Sequence, residues 1–76
     1  KSNIKQVIVE VKNEDVIDQL EVQFFDMLGQ SLTDPIAIRK NETFIDVESW
    51  ATGAYVARLV RFSDGKVIRN QKLFVE

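Results

Sequence analysis

The groups able to do covalent chemistry in this chain are few. It has no His and no Cys, so the usual general base, the thiol nucleophile and the common zinc ligands are all missing. Ser31, Ser49 and Ser63 have no imidazole to activate them, and no spacing suggests a lysine acting as base in its place. The chain reads as something other than an enzyme. Glu14, Asp15 and Asp18 supply the oxygen ligands that calcium takes, but they lack the glycine and the regular spacing of a calcium loop, so a solvated turn is the better reading. No metal or other cofactor is expected. Asn41-Glu42-Thr43 fits the glycosylation acceptor pattern, which has meaning only in a eukaryotic secretory route. Arg58, Arg61, Lys66, Arg69 and Lys72 are able to contact phosphate. The chain is acidic overall, with net charge −2, and it lacks a regular aromatic stacking platform, which argues against nucleic acid as a partner. A small-molecule substrate is equally unsupported.

The elements that would present a recognition surface are strands. A 76-residue chain makes one domain near the lower limit for a core without disulfide or metal support. With 45% apolar and 29% charged residues it has enough apolar material for a globular fold. Its apolar runs are too short to cross a bilayer. It begins at Lys1 rather than Met, which leads us to expect a piece of a longer protein. Residues 51–76 carry five basic and two acidic residues, a net +3, while the remainder carries five basic and ten acidic, a net −5. That polarity either orients a partner or reflects solvated strand faces.

KQVIVEVK (5–12) alternates, with Val7, Val9 and Val11 on one face and Gln6, Glu10 and Lys12 opposite, the period of a half-buried strand. Asn13-Glu14-Asp15 breaks it. Residues 16–28 fit two periods. Val16, Leu20, Phe24, Met27 and Leu28 recur at helical spacing, whereas Leu20, Val22 and Phe24 also form one face of a strand. Asp34-Pro35 ends this stretch. Ile36 and Ile38 then alternate with Ala37 and Arg39, and 43–47 is another short strand. AYVARLVRF (54–62) is the strongest strand, with Tyr55, Ala57 and Leu59 facing the core. Ser63-Asp64-Gly65-Lys66 reads as a hairpin turn, with the return strand in 67–76. Short strands at this spacing predict an all-β, antiparallel β-sandwich. Val56, Val60, Phe62, Ile68, Phe74 and Ile8 fall on the opposite faces, and form a second packed face, core under a loop or a binding patch. Structure is the preferred reading over interface.

Three stretches in order carry a resemblance. LEVQFFDMLGQSL (20–32) is similar to a strand running into an Asp-x-Leu-Gly turn. FIDVESWATGAYVARL (44–59) is similar to a segment closing on Gly-x-Tyr and Lys/Arg-Leu, with Trp50 where Leu is usual. DGKVIRNQKLFVE (64–76) is similar to a closing Gly-Lys…Lys-apolar strand. Together they resemble the C-terminal sorting domain of the type IX (Por) secretion system of Bacteroidota. The resemblance implies an immunoglobulin-like sandwich at the end of a cargo protein, as a single sorting domain over 1–76. It implies passage through the periplasm to the cell surface or exterior, and two partners besides the N-terminal cargo domain: an outer-membrane translocon and sortase-like processing machinery. By resemblance Gly29, Gly53, Tyr55, Gly65 and Lys72 are the motif residues, and the segment 20–26 is taken as a strand. The alternative is an immunoglobulin-like accessory or binding module of a surface protein without an export role.

Overall fold

A computed structural model of the chain describes residues 5–76. Six strands run β1 (Gln6–Glu10), β2 (Leu20–Asp26), β3 (Ile36–Ala37), β4 (Glu42–Asp46), β5 (Gly53–Arg61) and β6 (Lys66–Val75). They form two antiparallel sheets, β1-β4 and β3-β2-β5-β6, packed as an immunoglobulin-like sandwich. The alternation in β1 places Val7 and Val9 inward, and the inner faces of both sheets meet in one core. From the smaller sheet come Val9 and Ile45, with Val11 and Val47 at its ends; the larger sheet supplies Leu20, Val22, Phe24, Tyr55, Leu59 and Val75.

Residues 16–28 divide between their two periods. Glu14–Gln19 is a 3-10 turn that buries Ile17, and Leu20–Asp26 is a strand with Leu20, Val22 and Phe24 buried. Of the residues at helical spacing only Val16 falls in this turn, while Leu20 and Phe24 belong to the strand and Met27 and Leu28 lie beyond it. The strand wins beyond the turn because β2 pairs along its whole length with β5, Val22 opposite Leu59 and Phe24 opposite Ala57. Leu59 is thus a neighbour of Val22 within one sheet, and Trp50 packs on Phe24 and Tyr55.

The β5–β6 hairpin departs from strict alternation. Leu59 pairs with Arg69 but Val60 pairs with Val67, so Ile68 is an extra residue on β6. Such a bulge reverses the facing of the residues beyond it, which leaves Val67 exposed. The closing loop spans Phe62–Gly65, between the pair Arg61↔Lys66, and Gly65 has φ 74°. Asp64 accepts the backbone N–H of Lys66 and both Nε and Nη2 of Arg61. Of the residues on the outer faces only Val60 is buried, while Ile8, Phe62, Ile68 and Phe74 stand about half exposed or more.

Candidate functional site

The sequence motifs converge at one end of the larger sheet. The turn after β2 is built around Asp26, whose Oδ1 accepts the backbone N–H of Leu28 and of Gln30, each at 2.9 Å. Gly29 donates to the Asp26 carbonyl at 3.0 Å with φ 86°, a left-handed conformation that side chains rarely adopt. Asp26 pairs with Tyr55, and Tyr55 with Leu73. Gly53 opens β5 opposite Val75. The Asp-x-Leu-Gly turn, Gly-x-Tyr and the chain's last strand residues therefore share one edge of the molecule.

Tyr55 is buried, its hydroxyl donating to the carbonyl of Ala51, the backbone return characteristic of sandwich corners. Its ring lies 5.0 Å from Trp50, and Trp50 meets Phe24 edge-on at 5.3 Å. The Trp50 indole thus links the corner to the centre of the core.

Lys72 pairs with Val56 one row inward, in line with Phe25, and its side chain is exposed. In the next row Arg58 stacks 4.6 Å over the Phe25 ring and donates to Asn70. Gly65 stands at the other end of β5, roughly 25–30 Å away at strand rise. So Gly29, Gly53, Tyr55 and Lys72 are brought together and Gly65 is not. Of the five, Lys72 alone offers an exposed side chain.

Around the turn lie exposed apolar side chains that the sequence assigned to different sets, Met27 and Leu28 to a helical stripe and Phe74 to an outer strand face. Met27 is exposed, Leu28 is 86% exposed and Phe74 on β6 is 66% exposed. Nothing in the alternation of β2 marks Leu28 as protruding, because its position follows from the Asp26 turn. Asp64, at the far end, is held at about 2 by its hydrogen bonds from Arg61 and from the Lys66 backbone. The side chains of Glu14 and Asp15 lie outside the described residues, so the acidic cluster with Asp18 is not placed. Asn41, the sequon residue, donates its side-chain amide to the carbonyl of Val11 and ties the end of β4 to that of β1.

A family model described as "Secretion system C-terminal sorting domain" matches residues 3–76. The chain belongs to that family, the C-terminal sorting signal of type IX secretion. No curated protein and no solved structure matches it. The role is a non-catalytic one, and it implies interaction with the type IX secretion machinery and export to the cell surface or outside.

Proposed function

We propose that this domain is the C-terminal module of a larger cargo protein, read by the outer-membrane translocon after the cargo reaches the periplasm and then handed to a sortase-like protease. The observation that supports this reading is the geometry of β6. It is an outer strand of its sheet, and its last residues lie beside the Gly29 turn and Gly53. Unpaired backbone groups on such a strand, together with one exposed cation at Lys72, suit strand addition by a partner. In this scheme Lys72 is touched directly. Gly29, Gly53, Tyr55 and Gly65 act through the shape they impose.

The test uses the full-length protein in a type IX-competent cell. Deleting Lys72–Glu76 should leave the cargo in the periplasm. The deletion also removes Leu73 and Val75 from the core, so Lys72→Ala, with folding verified, separates recognition from folding and should give a partial defect. Normal surface delivery of the truncated protein would exclude the sorting role of this strand.

A further inference from the structure

The sandwich is open along one side. β1 and β6 are each the last strand of their sheets, and they run side by side in opposite directions. Antiparallel pairing alternates backbone groups between partner and free edge. Val47 donates to the Lys5 carbonyl and Val11 to that of Asn41, so odd-numbered residues of β1 face β4. The groups of Gln6, Ile8 and Glu10 therefore point into the seam. Phe62 donates to the Gln19 carbonyl, which by the same alternation turns Asn70, Lys72 and Phe74 of β6 into the seam from the other side.

Two side chains cross where strand pairing would otherwise run. Arg69 Nη2 donates to the Glu10 carbonyl at 3.0 Å, and Lys5 Nζ contacts the Glu76 carbonyl. Between these bridges lies a cavity of about 390 Å³ floored by Val22, Ala57 and Leu59 and walled by Val7 and Leu73. Further cavities continue beyond Arg69 and beyond Lys5. The cations bordering the seam are Lys5, Lys12, Arg61, Arg69 and Lys72, of which Arg61 is paired with Asp64, against Glu10 and Glu76. The seam is thus locally basic in an acidic chain.

We infer that the seam receives one extended segment of a partner protein, of alternating apolar and acidic residues, inserted as a strand between β1 and β6. Both edges hydrogen-bond to it, its apolar side chains enter the cavity over Leu59, and its carboxylates meet the bordering cations. Arg69 and Lys5 are place-holders that cap edge carbonyls until the strand arrives. This deepens the sorting reading and rests on it.

The probe is the blocked heptapeptide Glu-Val-Glu-Val-Glu-Val-Glu, titrated into the 15N-labelled chain, with the Lys-for-Glu peptide as control. Amide exchange at Ile8, Glu10, Asn70 and Lys72 should slow at least tenfold on saturation, and the lysine peptide should bind at least tenfold more weakly. Ile8→Pro and Asn70→Pro each remove one seam-facing N–H and leave the backbone pairing to β4 or β5 in place, and Asn70→Ala controls for loss of the exposed bond from Arg58. Each proline should weaken binding about tenfold in a protein whose spectrum remains folded. Equal response to both peptides, no protection at these amides, or a concentration-dependent dimer protecting the same amides without peptide would overturn the inference. Trapping of the Lys72–Glu76 deletion alongside absent peptide binding would reject the seam and leave the sorting role standing.

Discussion

Asp26 and Gly29 divide the work of one turn: the carboxylate satisfies two backbone N–H groups and the glycine supplies the positive φ. Beyond its two chain neighbours no heavy atom lies within 4 Å of where a Cβ on Gly29 would sit, so the penalty for a side chain there comes from the local backbone conformation and not from tertiary packing. Gly29→Ala should therefore cost about 1–2 kcal/mol, the usual left-handed penalty, measured by denaturant unfolding; an unchanged midpoint would mean that the turn relaxes. At the opposite end the Arg61–Asp64 pair makes a prediction with a sign. Asp64 titrates at about 2 instead of 3.8, so it favours the folded state above the ordinary value, and this contribution fades as pH falls through 3.8 toward 2. The Asp64 carboxyl resonance should titrate near 2 and return toward 3.8 in Arg61→Gln. Both ends are solvent-exposed, so the effect belongs to local hairpin order, not to global stability.

At the scale of elements, Leu59 joins the halves of the core. It is 5% exposed and sits beside Val22 on the inner face of β5. Leu59→Ala should cost about 2–5 kcal/mol, a large part of the 5–15 kcal/mol typical of a domain, and thermal unfolding is the check. An unshifted transition would show the inner face of β5 to be reversed. The strands themselves were legible because alternation survives in the sequence: Val7-Val9-Val11 and Tyr55-Ala57-Leu59 name their buried faces directly. The bulge at Ile68 was not, because an extra residue on β6 is defined only by its partner β5, and it sets Val67 opposite Val60, out of the alternation that runs from Arg69 to Val75. On the outer faces Val60 is buried, whereas Ile8, Phe62, Ile68 and Phe74 are exposed. Side-chain alternation records which residues share a face, but whether a face is covered depends on strands distant in sequence.

For the whole molecule, the decisive feature is the pairing of a well-packed corner with an unfinished side. Trp50, Tyr55 and Phe24 lock the end where the motifs meet, while the β1–β6 seam keeps backbone edges available. Of the candidate site, the sequence resemblance located Gly29, Gly53, Tyr55 and Lys72, which the fold gathers. It included Leu28 as the Leu of the Asp-x-Leu-Gly turn but not its exposure, and it did not indicate the cross-seam bond of Arg69, because both arise only from the folded arrangement. That the domain acts as a type IX sorting signal is tested most directly by transfer. Residues 1–76 are fused to the C-terminus of a periplasmic passenger with its own export leader, in a type IX-competent bacterium, and surface and medium fractions are assayed. The passenger should reach the cell surface or medium in that strain and remain periplasmic in one lacking the translocon. Retention of the passenger in the periplasm of the competent strain, with the domain shown to be folded, would contradict the account.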